Sequence, residues 1–342
     1  MNGQAPEELN HFTPADLAAL VPRLSWRRVL VLGDLFLDEY VEGRATRLSR
    51  EAPIPVLEFE RRFYLPGGAA NPAHNIAALQ GHAWQSGVIG DDAAGRQLLA
   101  ELQRAGVDAR GVVVDAGRPT TTKTRVVSRG SLRFPQQVAR IDHIDRRPID
   151  AGVQAAIEAH LRGLLPQADA LLVSDYRSGV MTPALSVAAL ELAKASGKPA
   201  TVDSQGNLEQ YRGYHLIKCN QAEAEAMLKR PLDTVARVRE ACEDLLDNLQ
   251  AEMVVVTRGA DGIAGLSRRE GFTILPAANR SEVYDVVGAG DTVIAVLTLA
   301  LAARLPFGMA LRLANYAAGL VVRKLGNATA TQAELCWAIE HW

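Results

Sequence analysis

The chain has 342 residues, of which 48% are hydrophobic and 22% charged, with a formal net charge of −2. Basic and acidic residues are interspersed, so no face for nucleic acid or an anionic membrane is expected, and small-molecule ligands are favoured. The three cysteines, Cys219, Cys242 and Cys336, form no CxxC pair, which argues against a zinc site or a disulfide framework. The longest apolar run, 293–303, is too short to cross a bilayer, and the N-terminus lacks a basic region followed by an apolar run, so a cytoplasmic location is expected.

A first buried strand is predicted at 29–34, where a continuous apolar run ends in Asp34. The stretch Gly67-Gly68-Ala69-Ala70-Asn71 then leads into a helix that runs towards Leu79. Adjacent glycines followed by small residues allow a ligand to approach the backbone closely, although a tight turn with packed alanines gives the same pattern. A second helix at 92–105 continues the alternation of strand and helix.

A small β lid is predicted from two separate parts of the chain. Segment 36–64 consists of short mixed runs interrupted by prolines, which favours strands outside the main sheet. Segments 120–127 and 136–141 are β-branched and extended in the same way. We interpret the two parts, about 36–66 and 118–142, as one lid.

The second half predicts a regular parallel sheet. Its apolar strands are expected at 170–173, 200–202, 216–217 and 253–256. Each is followed by polar residues, namely Ser174 and Asp175, Asp203, Lys218 and Asn220, and Thr257 and Gly259. Helices separate the strands, which predicts right-handed crossovers and a ligand site beyond the carboxyl ends of the strands. Helix capping could explain one or two of these polar positions, whereas a binding edge explains the whole set.

The segment from Asp285 to Thr292 reads Asp-Val-Val-Gly-Ala-Gly-Asp-Thr. Its two glycines let the backbone turn with N–H groups exposed, and a helix that starts there adds partial positive charge, which suits a phosphoryl group. Asp291 lies at the mouth of this anion turn, where a carboxylate could accept a proton. The alternative is a plain loop in which Asp291 only caps a helix.

Other common motifs are missing from the sequence. It has no GxxxxGK[ST], no GxGxxG after the first strand, and neither GxSxG nor HExxH, which argues against P-loop, dinucleotide, acyl-transfer and zinc-hydrolase sites. Towards the C-terminus, 307–324 is an amphipathic helix in which Asn315 could touch a ligand or form a polar shoulder on a core-facing helix. Thr331 and Glu334 predict a capping box for a terminal helix.

With these residues in view, the chain resembles the ribokinase-like (PfkB) carbohydrate kinases over nearly its whole length. The 67–71 stretch looks like the first family signature, and 285–292 looks like the second, whose usual form is Asp-Thr-Thr-Gly-Ala-Gly-Asp. Asn220 and Glu223 match an Asn-x-x-Glu motif. The resemblance implies an α/β fold, with a three-layer α/β/α arrangement, a mainly parallel sheet and a small β lid, all in one domain over 1–342.

The resemblance also implies roles for individual residues. Asp291 would be the general base, with an anion hole formed by the backbone of Gly288, Ala289 and Gly290. The substrate-binding residues would be Asp34, Asp38, Gly67, Gly68, Asn71, Arg140 and Asp175. The nucleotide-binding residues would be Lys218, Asn220, Glu223, Thr257, Gly259, Gly262 and Asn315. ATP and Mg²⁺ are the expected cofactors, with Asn220 and Glu223 organising the metal largely through water; a monovalent cation is a further candidate. The resemblance also implies a homodimer formed through the β lid.

Within the family, the chain looks most like the D-glycero-D-manno-heptose-7-phosphate kinases. Glu51 to Val56 and Ser174-Asp175-Tyr176 carry that likeness. Ser178 stands where those kinases usually have lysine, Ser204-Gln205 where they have Pro-Lys, and Val286-Val287 where they have two threonines. The arginines that could supply the missing charge are Arg125, Arg129, Arg140 and Arg177.

The expected function is ATP-dependent phosphorylation of a sugar or sugar-phosphate hydroxyl, most like heptose-7-phosphate C1 phosphorylation. One alternative is a kinase for an unphosphorylated hexose, ribose or nucleoside, and another is a non-catalytic sugar- or nucleotide-binding relative. A dehydrogenase is disfavoured because the glycine fingerprint is missing after the first strand. No nucleotidyltransferase segment follows residue 342 in the sequence, so the kinase step alone is expected of this chain.

Overall fold

A computed structural model describes residues 13–129, 136–279 and 283–342. Its strands are β1 (Arg28–Gly33), β2 (Leu35–Leu48), β3 (Pro55–Gly68), β4 (His82–Ile89), β5 (Asp108–Val114), β6 (Thr121–Arg129), β7 (Gln136–His143), β8 (Ala170–Asp175), β9 (Ala200–Ser204), β10 (Leu216–Asn220), β11 (Met253–Thr257), β12 (Ile263–Ser267) and β13 (Gly271–Leu275). Its α-helices are α1 (Pro14–Ala18), α2 (Ala70–Ala78), α3 (Ala93–Arg104), α4 (Ala151–Leu164), α5 (Pro183–Ala195), α6 (Gln221–Leu228), α7 (Val235–Asn248), α8 (Ala289–Ala302), α9 (Phe307–Val321) and α10 (Gln332–His341).

The main sheet has the strand order β13-β12-β11-β10-β9-β8-β1-β4-β5. Its strands from β11 to β5 pair in parallel, and the β12 and β13 hairpin adds an antiparallel edge. Strand β1 lies between β8 and β4 and is covered on both faces. Val29 and Val31 face a core built with α2, α8 and α9, whereas Leu30 and Leu32 face a core built with α4, α5 and α7. The three-layer prediction is therefore confirmed, and the two-sided burial explains the continuous apolar run of β1.

A second sheet has the strand order β3-β2-β6-β7. Strands β2 and β6 pair in parallel, while β2 with β3 and β6 with β7 pair antiparallel. The predicted small sheet is thus present, although residues 130–135 of its second part lie outside the described residues. A single residue, Asp34, separates the end of β1 from the start of β2, and β3 ends just before α2. The small sheet is therefore joined to the main sheet at the edge where the parallel strands end.

Some elements differ from the sequence predictions. Strands β4 and β5 belong to the main sheet, and the hairpin of β12 and β13 extends it, but none of these four was predicted. The helix predicted to reach residue 324 ends at Val321, followed by a looser turn. No helix in the described ranges is long and apolar enough to cross a membrane. Residues 1–12, on which the argument about the N-terminus rested, lie outside the described residues.

Candidate active site

A cavity of about 680 Å³ opens where the parallel strands end, and both sheets contribute to its walls. This volume is within the usual range for small-molecule sites. The residues predicted as functional that line it are Asp38, Gly68, Arg140, Asp175, Lys218, Asn220, Glu223, Thr257, Gly259, Gly262, Gly288, Ala289, Gly290, Asp291 and Asn315. The predicted residues that do not line it are Asp34, Gly67 and Asn71. The structure therefore brings most of the predicted residues to one place.

The anion turn precedes helix α8, whose N-cap is Gly288 in a left-handed conformation with φ of 81°. A Cβ atom on Gly288 would lie 2.8 Å from the Asn71 Nδ2 atom, and one on Gly290 would lie 2.7 Å from the Lys218 Nζ atom. Position 288 therefore requires glycine because of its positive φ, whereas a side chain at Gly290 would displace the end of the Lys218 side chain. The first N–H groups of α8 have no partner within the helix, so the turn presents donors and a positive helix end to the cavity.

Asp291 is the third residue of α8 and is buried, so it is not the helix cap that the alternative interpretation required. Its Oδ2 atom accepts a hydrogen bond from the Asn71 side-chain amide, and its Oδ1 atom accepts one from the Tyr176 hydroxyl, both at 2.6 Å. Burial raises the pKa of Asp291 from an ordinary 3.8 to about 6, although both hydrogen bonds favour the ionised form. A carboxylate with such a pKa is ionised near neutral pH and can still accept a proton.

Asn71 belongs to a buried chain of hydrogen bonds between α2 and α8. The Asn75 side-chain amide donates to the Asn71 Oδ1 atom at 3.2 Å, and the Thr292 hydroxyl donates to the Asn75 Oδ1 atom at 2.8 Å. These contacts fix the amide of Asn71 so that its N–H faces Asp291. Asn71 was predicted to contact substrate, whereas here its amide orients the carboxylate of Asp291.

Asp38 lies on β2 at the cavity wall with both carboxylate oxygens engaged. Its Oδ1 atom accepts from the Arg125 guanidinium at 2.6 Å, and its Oδ2 atom accepts from the Asn327 side-chain amide. Gly67 packs directly against this carboxylate, where any side chain would collide with it. Asn327 follows α9, so Asp38 ties the small sheet to the C-terminal part of the chain.

Asp34 has a different role from the one predicted. Its carboxylate accepts backbone N–H groups from Tyr176, Ser178 and Val180 at 2.8 to 3.1 Å. Burial, followed by the nearby Asp175, raises the pKa of Asp34 to about 6. The carboxylate therefore shapes the 176–180 loop that carries Tyr176, and it does not reach the large cavity.

Two further carboxylates follow β8 and β9. Asp175 accepts hydrogen bonds from the Ser204 hydroxyl at 2.9 Å and the Tyr211 hydroxyl at 2.6 Å. Asp203 forms a buried ion pair with Lys218, with 2.7 Å between Oδ2 and Nζ. Burial alone would lower the pKa of Lys218, but the Asp203 carboxylate outweighs it and holds the pKa above its ordinary value. The Lys218 ammonium is thus charged and lies against the anion turn.

Apart from Lys218, the predicted nucleotide residues form another part of the cavity wall. Asn220 caps α6 and forms a reciprocal capping box with Glu223. Thr257 and Asn315 line the wall, and the Asn315 amide donates to the Pro276 carbonyl oxygen at 2.8 Å. Gly262 has φ of 90°, and a Cβ atom there would collide with the backbone at Leu275 and Pro276. In this part of the cavity, the wall is therefore formed by closely packed backbone.

The donor set at Asn220 and Glu223 suits a metal held mainly by water and by ligand phosphates. No group of three or more His, Cys, Asp or Glu residues that could hold a metal occurs among the described residues. The capping box engages the Oε2 atom of Glu223 and the Oδ1 atom of Asn220. Glu223 still lines the cavity, and burial raises its pKa, so a nearby cation would favour its ionised form.

Several lining residues were not assigned to the site from sequence. They are Phe36, Lys123, Tyr176, Gln205 and Asn327. Tyr176 belongs to a motif noted in the sequence, but its hydrogen bond to Asp291 depends on the fold of the 176–180 loop. Lys123 and Phe36 face the cavity because of the register of their strands, which no local sequence pattern indicates.

Comparison with known proteins places this geometry in a family. A family model described as pfkB family carbohydrate kinase matches residues 27–334. The chain is 44% identical over 326 residues to the bifunctional protein HldE of a Caulobacter species, covering 94% of this chain and 64% of that protein. It is 42% identical over 307 residues to the bifunctional protein HldE of Geobacter metallireducens, covering 90% of this chain and 61% of that protein. The chain therefore spans less than two thirds of the length of these relatives.

Solved structures show the same fold at lower identity. Arabidopsis thaliana ribokinase complexed with ribose and ATP superposes with a TM-score of 0.70 at 20% identity, covering 93% of this chain and all, 100%, of that one. Escherichia coli phosphofructokinase-2 in complex with fructose-6-phosphate gives a TM-score of 0.72 at 20% identity, covering 93% and 99% of the two chains. The match of the family model over residues 27–334 shows that the chain belongs to the pfkB family of carbohydrate kinases.

Proposed function

We propose that this chain is an ATP- and magnesium-dependent kinase that phosphorylates a hydroxyl of a sugar or sugar phosphate, with Asp291 as general base. The observation that carries the proposal is the position of Asp291, buried beside a glycine turn at the start of α8 and open to the cavity. The burial-raised pKa of about 6 matches proton transfer near neutral pH.

The chemistry is an in-line displacement at the γ-phosphorus of ATP. Asp291 accepts the proton of the acceptor hydroxyl as its oxygen forms the new P–O bond, and the bond from the γ-phosphorus to the departing ADP oxygen breaks. Backbone N–H groups of the anion turn and the Lys218 ammonium offset negative charge on the transferred group. Asn71 and Tyr176 hold the carboxylate in one orientation throughout.

Asn220 and Glu223 would hold magnesium through water. When bound, the metal neutralises charge on the nucleotide phosphates and aligns them. The backbone wall at Gly259 and Gly262 and the side chains of Thr257 and Asn315 would contact the nucleotide. A monovalent cation near the anion turn is a further candidate cofactor. The small sheet, as a lid, would exclude water from the transferred phosphoryl group.

Among acceptors, we favour a heptose 7-phosphate phosphorylated at C1. This preference follows from the likeness of 51–56 and 174–176 to heptose-7-phosphate kinases, and it agrees with the identity to proteins named HldE. An unphosphorylated hexose, ribose or nucleoside is the competing substrate class. A non-catalytic binding relative is disfavoured because Asp291 keeps two donors that orient it for proton transfer.

The test of the base is Asp291→Asn in a coupled assay of ADP release with a panel of sugars and sugar phosphates. We expect kcat to fall by about 10³-fold or more while ATP affinity, measured by calorimetry, changes little. Retention of near-normal turnover would contradict the base assignment. A wild-type chain that binds ligands but turns over none of the panel would favour the binding relative.

We also propose a homodimer formed through the small sheet. Its strands and hairpin carry exposed apolar side chains, namely Leu48, Ile54, Phe59, Val138 and Ile141. Exposed apolar side chains favour burial against a partner, and a second copy of the chain presents the same side chains with the symmetry of a dimer. For the kinase as a whole, we also propose a cytoplasmic location.

A further inference from the structure

The cavity face of the small sheet carries a row of charged side chains, here called the charged row: Asp38, Lys123, Arg125, Arg140 and Asp142. Lys123 is the register partner of Asp38 on one side and of Asp142 on the other, and Arg125 is the partner of Arg140. Directly paired residues of adjacent strands project to the same face of a sheet. The row therefore forms part of the cavity wall.

Most charges in the row neutralise one another. Arg125 pairs with Asp38 at 2.6 Å, and both side chains are buried. Arg140, which lines the cavity, pairs with Asp142 at 2.9 Å, and its guanidinium is half exposed. The backbone of Lys123 is paired within the sheet, but its ammonium has neither an ion pair nor a hydrogen bond with any residue in 13–129, 136–279 or 283–342. One positive charge of the row is therefore left without a counter-charge in direct contact.

Lys123 is held in place by aromatic rings. Its ammonium lies 4.0 Å from the centre of the Phe36 ring and 5.5 Å from the centre of the Tyr176 ring. Burial lowers the pKa of this half-buried lysine, and the two rings offset only part of the cost of a cation there. A ligand anion would supply the missing counter-charge.

The position of Lys123 assigns it to the acceptor rather than to the nucleotide. Tyr176, one of the two rings beneath the ammonium, donates its hydroxyl to Asp291 at 2.6 Å. The nucleotide residues Asn220 and Thr257 lie on the main sheet, at the ends of β10 and β11. A ligand whose hydroxyl reaches Asp291 from the small sheet would pass directly by Lys123.

We propose that Lys123, assisted by Arg140, binds a phosphate monoester carried by the acceptor sugar, and that this contact selects phosphorylated over unphosphorylated acceptors. The proposal rests on the proposed kinase function and narrows its substrate class. Arg125 is buried in its ion pair with Asp38, and Arg129 does not line the cavity, so neither replaces Lys123. Arg140 is paired with Asp142, but its guanidinium is half exposed at the cavity wall and can reach a ligand.

The experiment compares wild type with Lys123→Met, using heptose 7-phosphate and the same heptose without its phosphate. We expect kcat/KM for the phosphorylated sugar to fall about 30-fold, the loss of one charge-assisted hydrogen bond, with little change for the unphosphorylated sugar. Lys123→Arg should restore most of the loss, and Arg140→Gln should give a smaller loss. Lys194→Met, which removes an exposed lysine on α5, is the matched control.

Three outcomes would overturn the assignment: an equal loss for both sugars, a rise in KM for ATP as the main effect, or no loss at all. Calorimetric binding of the sugar phosphate without nucleotide separates this inference from the kinase proposal. Lys123-dependent binding without turnover would leave the anion site standing and remove the kinase function. Turnover that is insensitive to Lys123→Met would leave the kinase function standing and remove the anion site.

Discussion

The carboxylate of Asp291 is controlled by two neutral donors rather than by a cation in direct contact. Asn71 and Tyr176 each donate to one of its oxygens. Burial works against these donors and dominates, which is why the pKa lies near 6 rather than near 3.8. A base with this pKa loses little of its ionised fraction at neutral pH and gains proton affinity.

This balance predicts the pH dependence of the reaction. Because the ionised carboxylate is the active form, kcat/KM of the wild type should fall as pH drops below about 6. Tyr176→Phe removes a hydrogen bond that favours the ionised form, so the pKa should rise and the acid limb should move to higher pH. Activity on the alkaline side should remain close to wild type. The measurement is the pH profile of kcat/KM.

Tyr214→Phe is the matched control, because this buried tyrosine donates to the Ser186 carbonyl oxygen and does not contact Asp291. An acid limb that stays unchanged in Tyr176→Phe would contradict the assignment of the limb to Asp291.

The linkage between protonation and folding predicts that the stability of the chain also depends on pH. The folded pKa exceeds the ordinary 3.8, so the folded chain binds the proton more tightly, and stability from this group falls as pH rises from about 4 to about 6.

At the scale of elements, the ends of β9 and β10 deliver one buried cation to the anion turn. Gln205 comes directly after the last residue of β9 and lines the same cavity. Lys218, on the neighbouring strand, pairs with Asp203 and lies against Gly290. The cation beside the anion turn therefore comes from β10, while the residue after β9 is the neutral Gln205.

Exchange of the two side chains tests this interpretation. Lys218→Gln should lower kcat about 100-fold, since one donor to the transferred phosphoryl group is lost. The double variant Lys218→Gln with Gln205→Lys should recover at least tenfold, because Gln205 also lines the cavity. Both variants are compared by steady-state kinetics with thermal unfolding as the control for stability, because Asp203 loses its partner in the single variant. Lys218→Arg keeps the charge and should retain more activity than Lys218→Gln. The opposite order would contradict the electrostatic role.

In the main sheet, the uniformly apolar strand β1 was predictable, whereas the strands β4 and β12, which have a mixed composition, were not. Strand β1 was found because apolar cores cover both of its faces. Strand β4 was missed because it buries Gln85 and Ser86 within its run; the Gln85 amide donates to the Val31 and Ser86 carbonyl oxygens. Strand β12 was missed because Gly265 provides space for the Phe307 ring and breaks the apolar pattern.

For the site, the glycine motifs located the anion turn, but partners across the fold were beyond the sequence. Asn71 was identified as a site residue, yet its contact with Asp291 bridges two helices that only the packing of α2 on α8 brings together. The inward direction of Lys123 depends on pairing of β6 with β2, and a one-residue change of register would turn it to the other face. The identity of the site residues was therefore easier to predict than the direction in which their side chains point.

At the scale of the whole molecule, the outer surface of the small sheet governs the proposed assembly. Phe59 is 67% exposed on β3. Phe59→Glu should convert a dimer to a monomer, because a charge cannot be buried there without a partner. Light scattering of the purified chain gives the mass.

The control is Val187→Glu, which places the same charge at a 52%-exposed apolar position on α5. This variant should keep the wild-type mass. A wild-type chain that is already monomeric, or a Phe59→Glu variant that remains dimeric, would rule out the small sheet as the interface.

The hydrogen bonds around the reacting carboxylates also constrain the order of folding events. The contact between Asn71 and Asp291 spans 220 residues, and the contact between Asp38 and Asn327 spans 289. Closing loops of this length is slow, and the contacts stabilise the chain only after the intervening layers have formed. During synthesis, Asn71 is made long before Asp291, so the base cannot be oriented until the C-terminal helices have docked. Recovery of activity on refolding should therefore lag behind recovery of secondary structure, and a partly folded chain would have no means of transferring or wasting a phosphoryl group.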